Sequence, residues 1–228
     1  MKHHLHREID KLKTMLLSLG TDVEESVYKS VQALDKRDAR LAEQVISGDQ
    51  PIDRFEVYLE EECLKILALY QPVAIDLRFV IAVLKINNDL ERIGDLAVNI
   101  AERAVHLSAV EPVEVPFDFV SMAEKVRGML KKSLDALVNL DARQARDVCA
   151  ADDEVDAIHK NAYPTIQEAI TKHPQHMAAL LQYLGVSRYL ERIADHATNI
   201  AEDVIYMADG DIVRHRAKFI EQYAHRPA

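Results

Sequence analysis

The chain repeats itself. Residues 90–102 read LERIGDLAVNIAE and residues 190–202 read LERIADHATNIAE, identical at ten of thirteen positions at an offset of 100. Only Gly94/Ala194, Leu96/His196 and Val98/Thr198 differ. Upstream the match continues at an offset of 103. There Asp38-Ala39-Arg40 pairs with Asp141-Ala142-Arg143, and Asp49-Gln50-Pro51-Ile52-Asp53 with Asp152-Asp153-Glu154-Val155-Asp156. A three-residue length difference near Pro72 and Pro174 accounts for the change of offset. Self-similarity on this scale means one structural unit built twice. Whatever the first half does, the second is expected to do again.

Each half reads as three helices. Six Gly and seven Pro in 228 residues are few for a β-protein, which needs a turn every ten residues or so. The helical period runs over about 9–34, 39–69 and 76–107, and again over about 117–139, 142–172 and 176–209. Asp38 and Asp141 are placed to cap the second helix of each half. Residues 110–116 carry two prolines and no period, and form the linker. The expected organisation is a first three-helix repeat over 1–109 and a second over 117–228, the latter with a C-terminal tail. Short connections make consecutive helices antiparallel neighbours, so the predicted fold is all-α: two tandem, duplicated antiparallel three-helix bundles. Pro51 and Pro164 fall inside second helices and are expected to kink or break them.

Charge and cysteine content narrow the function. Twenty-eight basic against 38 acidic residues leave a net charge of −10, which argues against a nucleic-acid or anionic-membrane partner and suits cations or basic protein surfaces. The longest apolar stretch, Phe79 to Leu84, is far short of a span, and the N-terminus lacks the apolar core of a signal peptide. A soluble, cytoplasmic protein is expected. Cys63 and Cys149 make no disulfide framework; each faces isoleucine in the other repeat (Ile166 and Ile46), which reads as packed core.

Acidic residues form the one constellation with chemistry in it. Glu91, Asp95 and Asn99 recur every four residues, as do Glu191, Asp195 and Asn199, so each set lines one helix ridge. Asp49 and Asp53 form a further i, i+4 pair, and Asp152 and Asp156 another. Folding the first hairpin about residue 72 makes positions summing to about 145 level, so Asp49 stands beside Asp95 or Leu96 and Asp53 beside Glu91 or Arg92. In the second half the sum is about 349, which sets Asp152 at Ala197 and the neighbourhood of Asp195, and Asp156 near Ile193 and Glu191. Four carboxylates at one level repel unless protonated or neutralised by a cation. An all-oxygen donor set suits Mg²⁺, Ca²⁺, Mn²⁺ or Fe, and the spacing along a helix allows a multinuclear cluster. The plainer alternative is a solvated face knitted by Arg92 and Arg192.

The paired LERIGDLAVNI and LERIADHATNI stretches, each preceded by Asp-x-x-x-Asp, resemble the PhoU family. The likeness covers essentially the whole chain, including QPVAIDLRFVIAVLKINNDLERIGD at 71–95. It implies two three-helix bundles whose acidic motifs hold iron or zinc clusters in some members. By position those motif residues are Asp49, Asp53, Glu91, Asp95, Asp152, Asp156, Glu191 and Asp195. It also implies a cytoplasmic accessory protein of the high-affinity phosphate transporter, partnered by the transporter's ATPase subunit and by the phosphate-sensor histidine kinase. Such proteins restrain phosphate uptake and hold the kinase in its signalling-off state, and with it transcription of the phosphate regulon. A homodimer or higher homo-oligomer is expected. Ala194, where the first copy has Gly94, is expected to narrow the second site.

Other residues read more plainly. Glu56 and His159, three residues beyond Asp53 and Asp156, are second-tier candidates for the site, as are Asn99 and Asn199. His196 is read as a second-layer or surface residue, and His3, His4 and His6 as a frayed terminus. No Gly-rich phosphate loop, G-x-S-x-G or H-E-x-x-H occurs, so no enzyme is expected. The alternatives are a metal-storage bundle and a carboxylate-bridged di-iron oxidase. The second is disfavoured because no Glu is followed three positions later by His.

Overall fold

Six α-helices account for most of residues 2–210, the part of the chain that this computed structural model describes. They are α1 (Lys2–Lys36), α2 (Ala39–Tyr70), α3 (Ala74–Ser108), α4 (Phe119–Asn139), α5 (Ala142–Lys172) and α6 (Met177–Asp209), with a 3₁₀ turn Pro174–His176 leading into α6. No strand occurs among the described residues. Helices α1–α3 pack pairwise into one antiparallel bundle and α4–α6 into its repeat, as the duplication predicts. The tail expected after α6, residues 211–228, lies outside the described residues.

The repeat extends to the backbone. Arg37 and Leu140, 103 residues apart, both take left-handed φ (53° and 50°) where the first helix of each half ends. The next residue caps the following helix in each case. The Asp38 carboxylate accepts from Leu41 N at 3.1 Å, and that of Asp141 from Arg143 N and Gln144 N at 2.9 and 3.1 Å. Arg37 also donates to the carbonyls of Leu107 and Val110, tying the end of α3 and the start of the linker to the α1–α2 corner. The expected change of offset falls in the second turn of each half: with α2 ending at Tyr70, Gln71-Pro72-Val73 has no counterpart before Pro174.

One expected alternative is excluded and one expectation needs correction. Helices α2 and α5 are not broken at Pro51 and Pro164. Both prolines are on the exposed side, where the carbonyl that loses its partner can turn to water. Helix α1 starts at Lys2, well before Ile9, because Leu5 extends its apolar stripe onto the core. His4 and His6 therefore stand on an exposed helical turn rather than on a frayed end.

The halves do not keep separate cores. Helix α3 packs as extensively against α6 as against α2, and one apolar cluster draws on both halves. The two helices run antiparallel: Lys85 Nζ meets Asp203 Oδ1 at 3.3 Å near one end, and Arg103 donates to Gln182 Oε1 at 3.0 Å near the other. Helices α1 and α4 also touch across the seam. A methyl on Gly20 would stand 2.9 Å from Leu134 Cδ2, so that position has no room for a side chain without a shift of Leu134. Leu90 and Leu190, repeat equivalents with no exposed surface, sit on the two seam helices. Replacing either by alanine is expected to cost about 2–5 kcal/mol. Because the core is continuous, scanning calorimetry of each variant should show one lowered transition rather than loss of one of two.

Candidate functional site

The α2–α3 hairpin brings together the four acids expected at its middle. Asp49, half-buried on α2, lies in the field of Asp53, Asp95 and Glu91. Burial first, and then those three like charges, push its carboxyl from the ordinary 3.8 to about 6. Burial and Asp95 raise Glu91, with Asp53 adding to the shift and Arg92 opposing it. Burial and Glu60 raise Glu56, which also feels Glu91 and Asp53. The expected hairpin register is confirmed lower down by Asn87, which donates to Glu56 O and Oε1, both at 3.0 Å.

Helices α5 and α6 repeat the arrangement. Burial, then Asp156, Asp195 and Asp153, raise Asp152 to about 6, and the Thr198 hydroxyl works weakly the other way. Glu191 is raised by burial, Asp195, Asp156 and Asp152, tempered by Arg188. In both halves the upper aspartate on the first helix of the hairpin is half-buried and the lower one, Asp53 or Asp156, is exposed. The second ridge differs where Glu56 is replaced by His159. That imidazole lies 3.0 Å from Ser187 Oγ, and burial lowers its pKa against the pull of Asp156.

Compensation is partial. Arg92 reaches Glu91 at 3.4 Å and Asp95 at 3.9 Å from an exposed position, so the arginine knitting considered from the sequence exists at the edge of the first ridge. It leaves Asp49 uncompensated. Asp152 Oδ1 and Thr198 Oγ1 are buried without a well-formed hydrogen bond. Among the described residues, no three His, Cys, Asp or Glu side chains converge on a single point. The donor set thus fits a hard cation in kind and in level, and holding one takes rotation of the carboxylates toward a common centre. Asn99 donates to Asp95 O, whereas Asn199 turns away to Asp89 Oδ1 at 3.2 Å. A methyl on Gly94 would lie 3.5 Å from Asp49 Oδ1, an ordinary contact.

Of the two readings of His196, second-layer or surface, the structure excludes the surface one. His196 Nδ1 lies 2.8 Å from Asp89 Oδ1 across the α3–α6 seam, so His196 bridges the halves, a partner the sequence did not show. Its field also reaches Glu91. A signal did exist: His196 and Thr198 are two of the three departures within the thirteen-residue repeat, each placing a polar group where the first copy has Leu96 or Val98. Cys63 and Cys149 are packed as expected, and burial lifts their thiols to about 12 and about 11.

The fold and ridges define an all-helical protein of two homologous bundles, each carrying one acidic face. The family model for the PhoU domain matches twice, over residues 16–104 and 119–204, and the chain belongs to the PhoU family. It is 38% identical over 222 residues to a phosphate-specific transport system accessory protein PhoU homolog of Pseudomonas putida, covering 94% of this chain and 86% of that protein. The corresponding protein of Clostridium acetobutylicum is 35% identical over 204 residues, 89% of this chain and 93% of its own length. Among solved structures, PhoU from Pseudomonas aeruginosa matches with a TM-score of 0.86 at 38% identity, over 90% of this chain and 99% of that one. The phosphate transport system regulatory protein PhoU from Streptococcus pneumoniae gives 0.82 at 30% identity, over 92% and 99%.

The raised carboxyls set a pH dependence. A carboxyl whose folded pKa is raised keeps its proton at pH values where the unfolded chain has lost it, so it lowers stability as pH rises from 3.8 to about 6. Above that window the penalty is fully present. In chelator at pH 7.5, the double variant Asp49→Asn, Asp152→Asn should melt above the unmodified chain by about 2–4 °C, taking about 1 kcal/mol after allowance for solvent screening. That gap should close as the pH is lowered toward 4. The difference between the two proteins is the readout, because His159, lowered by burial, changes stability with the opposite sign in both.

Proposed function

We propose that this protein is a negative regulator of phosphate uptake and phosphate-starvation signalling. It acts as an adaptor between the ATPase subunit of a phosphate ABC transporter and a phosphate-sensor histidine kinase, and through the kinase it restrains the phosphate regulon. The observation that carries this reading is the near full-length likeness to the Pseudomonas aeruginosa PhoU structure, at 38% identity and a TM-score of 0.86. No described helix is long and apolar enough to cross a membrane. Contact with a membrane transporter then runs through protein surfaces on its cytoplasmic side.

The acidic ridges give the adaptor its chemistry. Asp49, Asp53, Glu91 and Asp95 hold a cation on one bundle, and Asp152, Asp156, Glu191 and Asp195 on the other, with Glu56 and His159 at the margins. Iron or zinc is the expected ion, and Mg, Mn and Ca suit the oxygen donors equally. Bound metal would supply positive charge that relieves the repulsion and could be shared with carboxylates of a partner or of a second copy, which is the proposed route to homodimers. Burial, and then repulsion, raises the pKa of Asp49 and Asp152, so protons compete with the ion as pH falls toward 6.

Removal of Glu91 and Glu191 by alanine should leave a folded helical protein. The bundles rest on their apolar stripes, and loss of a like charge relieves repulsion in the metal-free state. The test is a binding assay against the ATPase subunit and the kinase, with and without chelator, beside circular dichroism of the double variant. Weakened binding to either partner with intact helix supports the reading. Unchanged affinity in both variant and chelated protein contradicts a signalling role for the ridges, and loss of helix makes the metal structural.

A further inference from the structure

The outer face of each hairpin changes character along its length. On α3, Leu77, Ile81 and Leu84 continue the stripe that carries Glu91 and Asp95, all within about 40° of one line along the helix. On α6 the repeat sets Met177, Leu181 and Leu184 ahead of Glu191 and Asp195. The apolar type recurs at every position, yet these side chains are not core. Leu77, Met177 and Leu181 are 40%, 44% and 50% exposed, and Ile81, Leu84 and Leu184 are half-buried. Helix α2 adds Leu64, 52% exposed. Apolar groups left in water beside one another mark contact surfaces.

The hairpin register brings the α2 and α3 groups together. Asn87 donates to Glu56 O, so one turn toward the tip sets Glu60 level with Leu84, and the next sets Leu64 level with Ile81. Glu60 is exposed and its charge reaches Glu56, so the acidic strip runs from Asp49 down to the edge of the apolar zone. The α2–α3 face is thus apolar next to the tip and acidic beyond it, over about 27 Å from Leu77 to Asp95. A groove between two antiparallel helices of this length suits a third helix laid along it. A single divalent ion on the four ridge carboxylates would leave the strip negative, because Glu56 and Glu60 add to it.

Divergence between the repeats selects one of the two faces. At the border between the zones, exposed Asn88 of α3 is matched by exposed Arg188 of α6, and Glu60 of α2 by Tyr163 of α5. Arg188 already tempers Glu191, so a cationic visitor meets like charge at the second border and carboxylate at the first. We propose that the α2–α3 face docks an amphipathic helix of a partner protein, apolar in one half and rich in Lys or Arg in the other. Its apolar side chains, at i, i+4 and i+7, cover Leu64, Leu77 and Ile81, and its cations pair with Glu60 and the strip beyond. This deepens the adaptor function proposed above and rests on it, by giving the chemistry of the element that the adaptor receives. Apolar burial supplies the affinity, and the charged half fixes which way the helix lies.

The probe is a fluorescent helical peptide of about eighteen residues, long enough to span the face, with leucines at i, i+4 and i+7 in one half and lysines in the other. Anisotropy titration with the full chain should show it binding about tenfold tighter than a peptide of the same composition with the lysines spread over both halves. Leu64→Ser with Leu77→Ser, and separately Glu60→Gln and Asn88→Arg, should each weaken binding by about fivefold or more, whereas Leu181→Ser on the other face should not. The last two α2–α3 changes touch no apolar group and stand on exposed positions, which keeps the test independent of folding. None of these residues belongs to the two sets of four ridge carboxylates, so the metal content of the variants reads the cation proposal separately. Peptide binding by a chain that binds neither the ATPase subunit nor the kinase would support the docking face and sink the adaptor reading. Equal binding of the two peptides, or binding that the α2–α3 variants leave unchanged, overturns the proposal. So do methyl resonances of Leu64 and Leu77 that shift when the chain alone is diluted, because a second copy would then be the occupant.

Discussion

Each hairpin places carboxylates at one level of two helices, on a flank that packing has half-buried, and provides too little positive charge to offset them. That constraint organises the rest of the molecule. The helices must be long and well anchored by their apolar stripes to hold Asp49 against Glu91 and Asp95, because the acids themselves push the hairpin apart. The anchoring comes from α3 and α6, which pack both within their own bundle and on each other. A seam helix is therefore apolar over most of its circumference and keeps a narrow acidic strip free.

Duplication explains why there are two such strips, and divergence explains why they are not identical. Glu56 and Asn87 in the first half are matched by His159 and Ser187 in the second, which exchanges a carboxylate for a neutral imidazole at the ridge margin. Arg92 sits beside Glu91 and Asp95 in the first, while Arg188 tempers Glu191 in the second. The seam itself has become asymmetric. Asp89, His196 and Asn199 join the halves near the middle of the two seam helices, and Arg103, Gln182 and Tyr189 join them toward the C-terminal end of α3.

Much of this was legible from the amino acids. The helical period and the cap pair Asp38 and Asp141 set the boundaries closely, since local propensity, capping and apolar spacing all agree there. The hairpin register came from the turn positions alone, because short connections leave antiparallel helices little freedom. The α3–α6 seam was not legible. A stripe of apolar residues says that a helix face is buried and does not say which other face buries it. The partner of His196 was not legible for that reason, Asp89 being 107 residues away. The start of α1 was missed because nothing at Lys2-His3-His4 signals a cap, and only packing of Leu5 shows why the helix extends so far.

The proposal that the two ridges are cation sites is open to elemental analysis of the protein purified without chelator. The unmodified chain should carry divalent or trivalent metal, the Glu91→Ala and Glu191→Ala variants should each lose a share of it, and the double variant should lose most. Equal metal content in all four proteins, or none in the unmodified chain even after incubation with Fe, Zn, Mn, Mg and Ca salts, would contradict the account and leave the carboxylates as no more than a repulsive, solvated face.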